Sequence, residues 1–385
     1  MSAPRDDVVV VGGGPAGALA ALVLARQGAR VRIVDRARFP RPKLCGDSLN
    51  PGALAVLARH LDCAALTAQG QPIHGMRLSG PGGATVCGRY PGGVAGLSIT
   101  RARLDAWLLE KACRAGAVLE EGVMVRAVAT DAGGAAGVVL ATSAGARHHP
   151  ARLVIGADGR GSVVARQFGL AHAPAQPRRW ALGVYAEGVT GVDAALGEMH
   201  VRAGSYVGIA PVAGDLTNVC LVVPFGRAQG AVRAPWASIM AAVTADPLLA
   251  PRFARATPVS TPIVLGPMAV DVAAPGHAGV LLAGDAAGFI DPMTGDGLRL
   301  ALHGGVLAAE TAAQVLAGHI GRDAAVGALA ERRGMAFGTK WRFNRSLRAM
   351  VGLDPALRLA TLAARAWPAP FEAIVRYAAD IHAAA

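Results

Sequence analysis

Three glycines, Gly12, Gly14 and Gly17, stand in the spacing Gly-x-Gly-x-x-Gly between a continuous run Val8–Val11 and an Ala/Leu-rich stretch from Ala18 to Gln27. In this spacing the first glycine permits a tight turn and the second lets backbone approach a pyrophosphate. The third allows the following helix to pack closely on the strand. A helix starting here aims free N–H groups and the positive end of its dipole at the phosphates. Asp35 closes the next strand-like segment, Val31-Arg32-Ile33-Val34. A carboxylate there suits a ribose diol and repels a ribose 2′-phosphate, so the chemistry is that of FAD or NAD rather than NADP. The candidate contacts from this unit are Gly12, Gly14, Ala16, Gly17, Asp35 and Arg36.

Two later turns extend the pattern. Gly156-Ala157-Asp158-Gly159-Arg160-Gly161-Ser162 follows an apolar run. Gly284-Asp285-Ala286-Ala287-Gly288 follows another and leads through Asp291-Pro292-Met293-Thr294-Gly295-Asp296-Gly297 into a helical stretch. An acid just past a strand, between small residues, can hold a ribose or ribityl hydroxyl. A helix starting near Gly295 would turn its positive end toward whatever lies there. For an isoalloxazine, that end would stabilise the negative charge that the reduced ring develops. Asp158, Gly284, Asp285, Gly295, Asp296 and Gly297 complete the candidate set.

Other reactive side chains are sparse. Cys45, on a loop, is a candidate proton donor or pocket residue, or a small side chain packing under the cofactor. Tyr206 is a candidate substrate contact, or a packed strand residue. His303 reads as a helix-face residue. The five cysteines form no C-x-x-C pair, which points to free thiols in a reducing cytoplasm. His148-His149 reads as an exposed turn before Pro150, and no metal site is expected.

The elements that must position these residues follow from periodicity. Residues 8–35 read as a strand–helix–strand unit. Helices are expected over Pro51–His60, Arg101–Arg114 and Gly297–Ala317, with strands through 117–155, 182–225 and 280–285. The last 60 or so residues read as helical, broken at Pro355 and Pro368. The expected fold is α/β. A discontinuous Rossmann-like cofactor domain takes 1–70, 97–180 and 266–320. A mainly antiparallel β-sheet substrate domain is inserted as 71–96 and 181–265, and 321–385 forms a helical C-terminus.

Composition bounds the partners. The 385 residues are 53% hydrophobic, with 50 glycines and a formal net charge of +12, and the mean hydropathy is +0.39. No uncharged apolar run reaches the roughly 18 residues of a membrane span. Arg5-Asp6-Asp7 leading into valines does not read as a secretory leader. Lysines are only three, and the arginines are scattered without a nucleic-acid recognition motif, so no nucleic-acid partner is expected. The densest basic run, Arg332, Arg333, Lys340, Arg342, Arg345 and Arg348, reads as a solvated helix face. Its charge suits a phosphate-bearing cofactor or an anionic lipid surface.

The three motifs in this order resemble the FAD-dependent family of aromatic hydroxylases, flavin halogenases and geranylgeranyl reductases, which share a glutathione-reductase-like FAD domain. The resemblance covers residues 8 to 318. It implies FAD on Gly12, Gly14, Gly17 and Asp35, with Arg101 and Asp285 as further contacts and Asp158 in the second fingerprint. It also implies NAD(P)H as a transient reductant without a separate binding domain. Lys43-Leu44-Cys45-Gly46-Asp47 and the Asp291–Gly297 segment look most like the geranylgeranyl-reductase branch. That branch carries an aromatic-x-Trp-x-Phe-Pro segment, whereas this chain has Tyr206-Val207-Gly208-Ile209-Ala210-Pro211. The smaller residues open space above the flavin. The resemblance therefore implies first an NAD(P)H-using monooxygenase hydroxylating a hydrophobic aromatic or polyketide-like molecule. The alternatives are reduction of isoprenoid C=C bonds and a non-catalytic or membrane-peripheral flavoprotein. Substrate identity and oligomeric state stay open.

Overall fold

A computed structural model describes residues 5–143, 145–172, 179–202, 204–289, 292–351 and 354–381; Asp291 lies outside them. The N-terminal unit consists of β1 (Asp6–Val11), α1 (Pro15–Arg26) and β2 (Val31–Asp35). It is followed at a distance by α2 (Arg101–Arg114), β3 (Val118–Glu121), β4 (Gly145–Gly156) and β5 (Val280–Leu282). These strands form a parallel core in the order β5-β4-β1-β2-β3.

Strand β1 shows why its valines need no polar alternation. Val8 and Val10 enter a core shared with Leu19 and Leu22 of α1 and Leu104 and Leu108 of α2. Val9 and Val11 enter a second core with Val125, Val138 and Leu140 of the strands over 124–142. A central parallel strand is covered on both faces, so alternate residues meet two different apolar layers. Each such side chain contributes about 1.5–3 kcal/mol relative to exposure.

The second large sheet carries antiparallel strands Arg179–Glu187, Gly197–Arg202, Ser205–Val212 and Leu216–Pro224. Gly75–Ser79 joins it by a parallel pairing with Gly197–Arg202, and Thr85–Arg89 lies outside that strand. The back of this sheet, including Leu182, Val207 and Leu221, is buried with Ile239 and Val243 of the Pro235–Thr244 helix. Its front faces the cofactor layer.

Four helices complete the chain: α3 (Gly297–Leu316), α4 (Arg322–Val351), α5 (Asp354–Ala366) and α6 (Ala369–Ala378). Pro368 separates α5 from α6. The break expected at Pro355 is present: α4 ends at Val351, and Pro355 sits in the first turn of α5, where a missing N–H is harmless.

Two expectations are corrected. The basic run on α4 is not all solvated, because Arg333 and Lys340 are buried. Arg333 donates to the Ala287 carbonyl at 3.0 Å and lies 5.4 Å from the Phe337 and Trp341 ring centroids. Lys340 donates to the Tyr377 and Ala378 carbonyls. His149 lies within β4 rather than in a turn, buried, with Nε2 2.7 Å from Asp6 Oδ2. In each case the partner is remote in sequence. Among the described residues no helix is long and apolar enough to cross a membrane, and no group of three His, Cys, Asp or Glu could hold a metal ion.

Candidate active site

The first corner of the site is the start of α1. Gly12 has φ of +105°, and a Cβ there would stand 2.4 Å from the Ala157 carbonyl oxygen. A Cβ on Gly17 would stand 2.0 Å from the Gly12 carbonyl oxygen. Both positions therefore require glycine, one for its turn and one for the close approach. Gly14 is the N-cap and supplies no side-chain cap, which leaves the first-turn N–H groups without one. In front of it stand two guanidinium groups: a Cβ on Gly14 would lie 3.8 Å from Arg41 Nη2 and 4.0 Å from Arg101 Nη2. Arg41 Nη1 is buried without a hydrogen-bond partner.

Carboxylates hold this corner in shape. Asp105 takes both Arg101 Nε at 2.8 Å and Arg101 Nη2 at 2.9 Å, and Arg41 Nη1 lies 3.3 Å from it. Burial works against the Arg101 charge, but Asp105 outweighs it and raises the guanidinium pKa. Asp35 accepts from Gly13 N at 2.7 Å and Ala37 N at 2.8 Å, which clamps the glycine turn to the end of β2. Arg36 follows it, exposed.

The second and third turns converge on the same corner. Asp158 Oδ2 caps a short helix by accepting from Val163 N at 2.6 Å, whereas its Oδ1 is buried and unpartnered. Burial raises its pKa. Gly284 and Gly305 both close on Ala16: their Cβ atoms would lie 2.9 Å from its Cβ and 2.3 Å from its carbonyl oxygen. Asp285 sits among Lys43, Arg160 and Arg101; burial raises its pKa while those cations oppose the shift. An uncapped helix start, two guanidiniums, an orphaned carboxylate oxygen and a side-chain-free floor suit a dinucleotide with a pyrophosphate. The residues present fit FAD.

The loop 43–47 carries the chain from this corner to the front of the second sheet. There the register sets three rows across adjacent strands. Tyr206, Val222 and Ala181 form the first, Gly208, Cys220 and Gly183 the second, and Ala210, Asn218 and Tyr185 the third. The first row is apolar and packs with Met199, Met268, Met293 and Leu357. The second is small: Leu44 lies so close to Gly183 that a Cβ there would meet its Cδ1 at 1.9 Å. Over the third lies Asp47, fully buried, with φ of +52°.

Asp47 is the polar centre of this face of the sheet. Its Oδ2 accepts from the Tyr185 hydroxyl and from Asn218 Nδ2 at 2.7 Å, and its Oδ1 from Arg101 N at 3.2 Å. Burial pushes its pKa up to about 6 against these donors. Burial and the Asp47 charge raise that of Tyr185. The Cys45 carbonyl accepts from Asn218 Nδ2 at 2.9 Å. Burial raises the Cys45 thiol, so it keeps its proton at neutral pH.

The Gly295–Gly297 segment divides. Gly295, at φ of +65°, and Gly297 have no atom within 4 Å of a Cβ position, so the start of α3 is roomy. The Asp296 side chain is engaged elsewhere: its Oδ1 accepts from Asn50 Nδ2 at 3.1 Å, and its Oδ2 lies 3.8 Å from Arg299 and 4.0 Å from Lys340. Tyr206 is buried in the apolar row. Sequence reasoning singled out neither Arg41 and Lys43 nor Asp47, Tyr185 and Asn218 as site residues. A basic loop and a resemblance motif flagged the first three; nothing local marked the last two.

Similarity to known proteins agrees with this geometry. A family model described as an FAD binding domain matches residues 5–337. A digeranylgeranylglycerophospholipid reductase of Methanopyrus kandleri is 30% identical over 319 residues, covering 80% of this chain and 81% of that protein. A menaquinone reductase of Mycolicibacterium smegmatis is 32% identical over 323 residues, covering 80% and 76%. In structure the chain is similar to a geranylgeranyl bacteriochlorophyll reductase-like protein of Thermoplasma acidophilum, with TM-score 0.82, 20% identity and coverage of 94% and 91%. It is also similar to a flavin-dependent brominase, with TM-score 0.84, 19% identity and coverage of 98% and 94%. At those identities the structural likeness speaks for the fold.

Proposed function

The chain belongs to the FAD-binding-domain family of flavin-dependent oxidoreductases, and from that premise we propose that it reduces C=C bonds in the prenyl chain of a lipid or prenylquinone. The observation that carries this reading is the graded front of the second sheet, with an apolar row at Tyr206 and a buried, hydrogen-bonded carboxyl at Asp47. Saturating an isolated C=C adds one hydride and one proton, so the site needs an apolar bed for the chain and an acid beside it. Reduced FAD, when bound, supplies the hydride, and NAD(P)H is proposed as its reductant.

The chain's own residues supply the rest. Arg41, Arg101 and the start of α1 bind the pyrophosphate. Tyr206, Val222, Met199 and Met293 receive the prenyl chain and exclude water from it. Cys45 Sγ, held protonated by burial, is the candidate proton donor. Asp47 Oδ2 accepts the Tyr185 hydroxyl proton and so fixes the loop beside this row.

Hydroxylation, placed first from sequence alone, becomes the second reading. It is favoured by the room at Gly208, where a Cβ would find nothing closer than 3.9 Å. The reductase reading draws more support from the relatives above, whose names describe reduction. Anaerobic turnover separates the two. With reduced cofactor and a prenylquinone under argon, mass spectrometry should show one H₂ added per saturated double bond. Product that forms only in air and contains an added oxygen atom would overturn it.

A further inference from the structure

The α5–α6 hairpin is two-faced. On its inner side Leu357 packs in the apolar row with Tyr206 and Met293, and Val375 packs against Tyr90. On its outer side Leu359 is 69% exposed, Leu362 62%, Trp367 68% and Ile374 36%. The turn between the helices, Ala366-Trp367-Pro368-Ala369-Pro370, carries no charge and is exposed throughout. Four large apolar side chains exposed on one helix pair are costly in water and mark an interaction surface.

We propose that this hairpin seats the protein on an anionic lipid bilayer, with Leu359, Leu362, Trp367 and Ile374 entering the headgroup–acyl boundary. The occupant is set by chemistry. With 13 and 10 residues, α5 and α6 are too short to span a bilayer but suited to lying in its interface. Tryptophan beside leucines is the composition of an interfacial anchor. Residues 322–385 hold ten Lys and Arg against five Asp and Glu, and the chain carries +12 overall. That balance attracts an anionic surface and opposes a second copy of the same face. Position agrees: the helix that would lie in the interface also lines the apolar row, so a prenyl chain could pass from bilayer to cleft along α5. The inference rests on the prenyl-lipid reading.

The test is flotation of the FAD-loaded full chain with vesicles of phosphatidylcholine and phosphatidylglycerol in equal parts, beside the Leu359→Glu/Leu362→Glu variant and Trp367→Ser. The wild type should float, less so in high salt, and the double variant should bind about tenfold more weakly or worse. Both variants should keep their flavin and their turnover of a short-chain, water-soluble quinone analogue. Quenching of tryptophan fluorescence by brominated lipid should fall in Trp367→Ser. A wild type that stays in the aqueous fraction, or a double variant that floats equally, overturns the inference. So does a wild-type dimer that the double variant dissolves, which would make a second copy the occupant. Vesicle binding by an enzyme inert toward any prenylquinone leaves the docking surface standing and defeats the reductase reading. Turnover of the soluble analogue without vesicle binding does the reverse.

Discussion

The Tyr185 hydroxyl donates a hydrogen bond to Asp47 Oδ2, which joins the middle of a sheet strand to a loop 138 residues earlier in the chain. Asn218 donates to the same oxygen from the adjacent strand. This contact aligns the second sheet with the loop 43–47 and places the buried carboxyl over its front.

Asp47 makes stability depend on pH. Its folded-state pKa of about 6 lies above the ordinary 3.8, so the native protein binds this proton more tightly than the unfolded chain does. The stability it contributes is full below about pH 4 and is lost as pH rises through about 6. Urea titrations of wild type and Asp47→Asn across that window should differ in slope by a total on the order of 2–3 kcal/mol, with the variant flatter. Parallel curves would refute this.

Tyr185→Phe removes a donor that favours the charged form of Asp47, so the carboxyl should ionise at still higher pH. The pH profile of substrate reduction should move upward by roughly one unit while FAD content stays constant. An unmoved profile would uncouple the pair from turnover.

Gly12→Ala should lose FAD. The new Cβ would meet the Ala157 carbonyl at 2.4 Å, at a φ of +105°. The strain is about 1–3 kcal/mol before any displacement of the pyrophosphate. The ratio of flavin to protein absorbance is the readout, and normal loading would sink the cradle assignment.

The small row discriminates between two glycines. Gly183→Ala would push Leu44 and its loop aside, whereas Gly208→Ala meets nothing closer than 3.9 Å. Turnover should fall at least about tenfold in the first and change little in the second. Gly208→Trp should raise KM for a long prenyl chain by filling the cleft, without loss of FAD. Equal behaviour of the two alanine variants would overturn the row.

Lys340 joins the C-terminal helices to the cofactor layer, 3.6 Å from Asp380 and 4.0 Å from Asp296. Lys340→Met leaves two buried or part-buried acids short of a cation and should cost about 3–5 kcal/mol. Adding Asp296→Asn should recover part of the loss in thermal unfolding; a double variant no better than the single would refute the pairing.

The cofactor half was legible in the sequence because its determinants are local. Gly12, Gly14 and Gly17 act within one turn, and Asp35 reaches back to the backbone of Gly13 across a single βαβ unit. Valine runs announce strands buried on both faces, as a parallel sheet requires. The α4 basic run misled because exposure is not local: Arg333 and Lys340 are buried only because Ala287, Tyr377 and Ala378 come to meet them. Asp296 had the spacing of a cofactor contact, yet its carboxylate serves Arg299, three residues on, and Asn50, which only the fold brings to it. The front of the second sheet was the least legible part. Tyr185, Asn218 and Gly208 acquire their roles from cross-strand register, which only the folded sheet decides. Sequence by itself pointed to a dinucleotide site and, through its family resemblance, to FAD; tertiary structure decided where the Asp47 carboxyl and the apolar row stand, because both are assembled from residues far apart in the chain.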